Sequence, residues 1–359
     1  MSFSNLWVNT STDSRDESVP ITTPPSPLHY DIVSDEQWYI VQVVNGVVIC
    51  GLLSLFGVAS NIINIVVFAK QGFQDSMNIS LMGLAVSDLC SVVAMMWISI
   101  CWNPLFYLSD LPFEPRDIMY LTGATPRYLG VKISTFITAF ITFERCLCIV
   151  VPLRVKTIIT PARTKIIIIS IYITMSILLI PFCLGNRLEW VFDFTLNATV
   201  LKTTFTAERE LLEAITYLTQ AVFTTTLSFV FVICCTIVLV VKLNSKTKWR
   251  QATVAKGDRA AEGVGVKDRK VVKMVTFIAV IFIICSLPPT VLFFYMLFDK
   301  DFHIDGVHRN LFLVVFFSSF ITETLNSSVN IIVYLKMSSK YRAVFMKTFF
   351  YNKKKCIFT

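Results

Sequence analysis

Seven separate apolar stretches constrain this chain more than any other feature, because each is about as long as a lipid bilayer is thick. A helix needs about 20 mostly apolar residues to cross a hydrocarbon core of roughly 30 Å. Residues 42–69, 77–101, 121–149, 164–184, 214–242, 271–298 and 310–335 meet that requirement. The 359 residues are 55% hydrophobic and 16% charged, where soluble domains carry about 25% charge, so the apolar mass has to be embedded. A β-barrel would alternate apolar and polar positions, and runs such as Ile166 to Ile169 do not. The sequence therefore predicts an all-α membrane protein. A seven-helix transmembrane bundle spans residues 41–336, after a polar, proline-bearing extracellular tail at 1–40 and before a cytoplasmic segment at 337–359.

Charge sets the expected orientation. If residue 1 lies outside, 23 of the 32 Lys and Arg fall on the cytoplasmic side, and the outer side holds nine basic against seventeen acidic residues. The positive-inside rule then places the N terminus outside and the C terminus in the cytoplasm, and the expected location is the plasma membrane. Asn9 and Asn197 each begin a glycosylation sequon in a segment assigned to the outside.

Several classes are disfavoured. The ten Cys lie mostly in or beside apolar runs, with no CxxC pair or His cluster to hold zinc. No nucleophile, base and orienting group occur together at one depth, so an enzyme is not expected. No nucleic-acid partner is expected either. A transporter or channel remains a remote alternative, since buried charges could line a path, but no internal repeat is evident.

Motifs in successive helices narrow the class. Gly57 and Asn61 lie in the first, Leu84-Ala-Val-Ser-Asp88 in the second, and Glu144-Arg145-Cys146 at the inner end of the third, with Pro152 following. Cys285-Ser-Leu-Pro288 lies in the sixth, and Asn326-Ser-Ser-Val-Asn330-Ile-Ile-Val-Tyr334 in the seventh. In this order and at these depths they resemble the rhodopsin-like (class A) G-protein-coupled receptors. Phrases such as Cys101-Trp-Asn-Pro-Leu-Phe106 look like gastropod chemosensory receptors, with FMRFamide-type peptide receptors as relatives.

The resemblance implies a switch at the inner face. Arg145, with Glu144 beside it and Asp268 across the gap to the sixth helix, would hold that face shut, and its release would admit a heterotrimeric G protein. The plainer reading is a cation snorkelling to the interface. Pro152, Asn330 and Tyr334 join this switch by the same resemblance.

In related receptors the positions of Asn61, Asp88, Ser134, Asn326, Ser327 and Asn330 form a pocket that holds an allosteric sodium ion, and carboxylate, amide and hydroxyl oxygens suit a hard cation. The alternative is a hydrogen-bonded polar core without an ion. No other cofactor is expected.

On the third helix, Arg127, Ser134 and Arg145 share one stripe; since Ser134 and Arg145 face the bundle in the family this chain resembles, the resemblance implies that Arg127 points into the outer cavity, beside Tyr128. Arg127 either meets an anionic group of a ligand or pairs internally with Glu323 or Glu213. Lys132 lies roughly 140° round the helix from Arg127 at about 100° per residue, so a joint anion site is not expected.

The chain departs from the family at several positions. Ser286 replaces the Trp of the sixth-helix motif and Ile331 the Pro of the seventh, which puts the usual aromatic toggle and helix kink in doubt. Tyr120 stands where the family has the Cys of an outer disulfide; Cys101 and Cys183 are a substitute pair of unknown separation. Tyr341, Val344, Phe345, Thr348 and Phe349 mark a short amphipathic eighth helix on the inner leaflet, with Cys356 a candidate for lipidation. The function expected is detection of an extracellular chemical ligand and activation of a G protein, with a neuropeptide receptor as the alternative.

Overall fold

The computed structural model describes residues 32–351 apart from 110, 153, 195–196, 255–261, 300 and 303–305, and gives backbone without side chains at 156, 221, 243–254, 262–270 and 297. The tail bearing Asn9 and the terminus bearing Cys356 lie outside the described residues. Seven helices are long and apolar enough to cross a membrane: α1 (Asp35–Gln71), α2 (Ser76–Cys101), α3 (Pro115–Val150), α4 (Pro161–Gly185), α5 (spanning Arg209–Lys242), α6 (spanning Val271–Met296) and α7 (Arg309–Met337). The chain is a seven-transmembrane helix bundle.

Local chemistry explains the starts. Ser34 and Gln37 form a reciprocal capping box at α1, Asp75 caps α2, and Thr160 caps α4 with Pro161 in the first helical position. α1 ends at Gly72, whose φ of 80° is one a side chain would strain. On α4, Ile166, Ile169, Ile173, Ile177 and Leu184 are exposed while Ile168, Met175 and Leu179 are buried. Both faces are apolar, as in a helix with neighbours on one side and lipid on the other. α3 sits centrally, packed against α2, α4, α5 and α6.

α7 breaks at Val329, between Arg309–Ser328 and Asn330–Met337, although no proline stands there. Side chains of α1 take the carbonyls the helix would use: Ser60 Oγ donates to Ser328 O at 3.0 Å and Asn61 Nδ2 to Ser327 O at 2.8 Å. Insertion of side-chain donors into the backbone ladder is one of the known causes of helix distortion, so the helix is interrupted here without a proline.

The segment between α4 and α5, which reads as a loop, is a hairpin of β1 (Asn186–Asp193) and β2 (Ala198–Phe205), in register from Asn186↔Phe205 to Asp193↔Ala198. Asn197 is exposed at its turn with φ 49°, a conformation asparagine tolerates. Hydrogen bonds fasten β2 to the start of α3: Thr203 N donates to Asp117 Oδ2 at 2.8 Å, Thr203 Oγ1 to Asp117 O at 3.1 Å, and Leu201 N to Pro112 O at 3.0 Å. Cys101 and Cys183 are not joined to each other, so among the described residues this tether does what a disulfide does in the family pattern. Removing a charged acceptor from a buried amide costs about 1.5–3 kcal/mol. Asp117→Ala is expected to speed amide hydrogen exchange across 198–205 while α2 and α3 stay protected; unchanged protection at Thr203 would deny the tether any role.

After α7 the chain turns into α8, formed by Ser339–Met346 and Lys347–Tyr351. Tyr341 is buried and Val344, Phe345 and Thr348 are half-buried, whereas Phe349 is exposed. Phe349 packs its ring 5.2 Å from that of Phe345, on the same stripe.

Candidate functional site

Three layers of polar residues run through the bundle. At the end where α1 begins, a cavity of about 140 Å³ opens between α3, α5, α6 and α7. Its walls are Tyr128, Leu179, Phe182, Phe293, Phe316 and Phe320, and its charges are Arg127, Lys132, Glu213 and Glu323. Arg127 Nη2 meets Glu323 Oε2 at 2.6 Å, with the guanidinium 4.1 Å from the Phe320 ring. The two side chains are 6% and 18% exposed; of the two partners open to Arg127, this conformation selects the internal carboxylate. Glu213 belongs elsewhere, accepting from Arg209 Nε at 3.0 Å, Asn186 Nδ2 at 3.1 Å and Tyr120 Oη at 3.2 Å. Tyr120, the replaced cysteine, thus helps order the junction of α3, α5 and the hairpin.

Lys132, about 140° round α3 from Arg127, is still turned into the bundle. It lines the same cavity as Arg127 and a smaller one beneath, donating to Thr225 Oγ1 on α5 and lying 5.0 Å from the Tyr128 ring. The 140° separation is real, but α3 is surrounded by helices and the lysine stem is long, so residues on two of its sides reach one cavity. Ser286, in place of a tryptophan, lines the smaller cavity with Asn326, Ser327 and Thr290. That polar space joins the ligand-sized cavity to the next layer.

In the middle layer Asp88 is fully buried. Ser134 Oγ donates to its Oδ1 at 2.7 Å and Asn330 Nδ2 to its Oδ2 at 2.9 Å, which ties α2 to α3 and α7. Asn61 does not join Asp88 directly; its amide goes to Gly57 O at 3.0 Å and to Ser327 O. Asn326 is half-buried at the cavity above. Asn64 extends the layer, donating to Asn61 Oδ1 at 3.3 Å and accepting from Tyr341 Oη at 2.6 Å. Burial raises the Tyr341 phenol above its ordinary value, so it remains a donor. This α8-to-α1 link was not foreseen, because an amphipathic pattern shows which face is buried but not its partner.

At the opposite end Arg145 Nη2 meets Glu144 Oε1 at 2.7 Å, and Glu144 also accepts from the Ser76 and Ser80 hydroxyls of α2. The observed pairings of Arg145 and Glu144 therefore lie within α3 and onto α2. Asp268 lies on α6 (Glu262–Phe298), but its side chain is outside the described residues. Pro152 is exposed just beyond α3. Tyr334 is buried against Phe68 and Tyr341, with ring centroids at 5.2 and 5.4 Å, and its hydroxyl has no hydrogen-bond partner.

A seven-helix bundle with a cavity at one end, a buried acid at its centre and a paired arginine at the other end defines a membrane receptor of the seven-transmembrane class. Residues 60–334 match the model of the seven-transmembrane receptors of the rhodopsin family, and the chain belongs to that family of G-protein-coupled receptors. It is a receptor, not an enzyme. Among its curated relatives are the growth hormone secretagogue receptors type 1 of Mustela putorius furo and Rattus norvegicus, each 27% identical over 322 residues, covering 83% of this chain and 78% and 79% of theirs. The receptor of that name from Homo sapiens is 27% identical over 321 residues, covering 82% and 78%.

Proposed function

We propose that the chain lies in the plasma membrane with its N terminus outside, takes an extracellular ligand into the cavity beside the Arg127–Glu323 pair, and activates a heterotrimeric G protein from the Arg145 end. The cavity carries this reading. At about 140 Å³, lined by aromatic side chains with a few charged groups, it suits a small water-borne molecule and supports a chemosensory role. The positive-inside distribution of basic residues supports the orientation, and Asn197 at its exposed turn would then meet the glycosylation machinery. A second reading, a receptor for a basic amidated peptide, is favoured by the acidic excess outside and by the likeness to secretagogue receptors.

Sodium belongs to the same proposal. Asp88 carries no cation partner among the described residues, and its two oxygens with Ser134, Ser327 and Asn330 supply the oxygen donors a hard ion takes. The ion would favour the closed state, and an agonist the open one.

G-protein activation in cells expressing the chain, screened against amino acids, other metabolites and amidated peptides, tests both. The response should vanish in Arg145→Ala at normal surface level. Replacing external sodium by N-methylglucamine should raise agonist potency in the wild type and leave Asp88→Asn unmoved. Uptake or a ligand-gated current without G-protein activation would overturn the proposal, and equal sodium dependence in Asp88→Asn would remove the ion from it.

A further inference from the structure

The cavity between α3, α5, α6 and α7 does not balance its charges. Glu213 is neutralised by Arg209 at 3.0 Å and Glu323 by Arg127 at 2.6 Å. Each carboxylate has its cation, and Lys132 is left over. Its ammonium is 5% exposed as a residue, lies at membrane depth and, among the described residues, has no carboxylate within ion-pair distance. Of its three N–H donors one goes to Thr225 Oγ1, and the Tyr128 ring lies 5.0 Å away. An ammonium buried among helices whose neighbouring carboxylate, Glu323, is already paired with Arg127 is expensive, and such a group marks a functional site whose further partner should be sought. Around it the cavity offers Leu179, Phe182, Phe293 and Phe316, which suit an apolar body.

We propose that Lys132 anchors the oxyanion of the ligand, and that the ligand is a small acid with an apolar body. The acid group descends past the Arg127–Glu323 pair to the ammonium at the cavity floor, and its apolar part fills the aromatic space above. Arg127 is then not the ligand's ion-pair partner, because its charge is already answered by Glu323. Charge matching explains why Lys132 stands at the junction of the two cavities: an anion there restores neutrality and reaches the polar space beside Ser286 and Ser327, one step from Asp88. This assignment rests on the reading of the cavity as the ligand site.

The test is thermal stabilisation of the purified full-length receptor by butyrate, hexanoate, phenylpropionate and indoleacetate, each beside its primary amide, together with G-protein activation by the same compounds in cells. At least one acid should raise the melting temperature of the wild type while its amide does not. Lys132→Met, which removes an unpaired charge and keeps the stem, should melt no lower than wild type without ligand and bind that acid about thirtyfold or more weakly. Lys132→Gln, which can still reach Thr225, should lose the acid equally. Amides that act as well as acids, or an acid response that survives Lys132→Met, would overturn the proposal, as would Lys132→Met melting well below wild type, which would make the lysine structural. Stabilisation by amidated peptides and by none of the acids would overturn it too, and would leave the cavity standing as the ligand site of a receptor.

Discussion

Glu323→Ala is expected to destabilise the purified receptor far more than Arg127→Ala, although the two residues form one ion pair. Breaking a buried pair by removing one partner costs about 3–5 kcal/mol, because a charge is left uncompensated in a low-dielectric site. Without Glu323, Arg127 and Lys132 would share the cavity with no free carboxylate, since Glu213 is engaged by Arg209. Without Arg127, Glu323 keeps a second cation close by, as Lys132 and Glu323 line both cavities, and it is the more exposed partner at 18%. The double variant Arg127→Met/Glu323→Leu removes both charges and should recover most of what Glu323→Ala loses, because apolar replacement of a buried pair is often neutral. Melting temperatures of the four proteins in one detergent decide the matter. Equal losses in the single variants, or a double variant worse than Glu323→Ala, would show that the pair does not behave as a buried charge balance.

Much of this architecture is legible in the sequence because a bilayer removes alternatives. With no water to satisfy backbone groups, an apolar stretch of sufficient length has to be a helix, and the seven spans deviate from expectation mainly at their ends, where α1 starts at Asp35 rather than 42 and α3 at Pro115 rather than 121. Those extensions are polar or mixed and project beyond the apolar run, so hydropathy does not register them. The hairpin escaped for a similar reason: Arg187-Leu-Glu-Trp-Val-Phe-Asp193 alternates only up to Trp190 before an apolar run, and its partner strand is fixed by Asp117 and Pro112 on another segment. Among the site residues, Asp88, Ser134 and Asn330 come together as their motifs imply. Lys132 lines the same cavity as Arg127 despite the angle between them, because a helical wheel measures angle and ignores how many sides of α3 are occupied. The α7 break shows the limit of motif reading most directly: the family proline is missing, yet Ser60 and Asn61 produce the interruption from a different helix.

Gly130→Val should leave little receptor at the cell surface, and Gly130→Ala should lower the melting temperature of what is made. A Cβ at this position would lie 2.9 Å from Ser87 O and 2.9 Å from Ser91 N, both backbone atoms of α2 that cannot rotate aside. Small residues at membrane helix contacts allow backbones to approach in this way. Adding one methyl to such a contact forces the helices apart and costs about 1–3 kcal/mol, and a branched side chain more. The displacement does not stay local. Ser134 lies one turn beyond Gly130, and Asp88 follows Ser87, so the same approach that excludes a side chain at 130 brings Ser134 Oγ to 2.7 Å from Asp88. Widening it would loosen the bond between α2 and α3 at the bundle centre and expose the buried carboxylate to a poorer set of donors. Gly51→Ala is the matched control, because its Cβ would meet only Ser99 side-chain atoms at 3.7 and 3.9 Å, an ordinary contact. Surface labelling and melting of the three variants should separate Gly130 from Gly51. If Gly130→Ala matches wild type while Gly51→Ala falls, the close α2–α3 approach is not what positions Ser134 against Asp88.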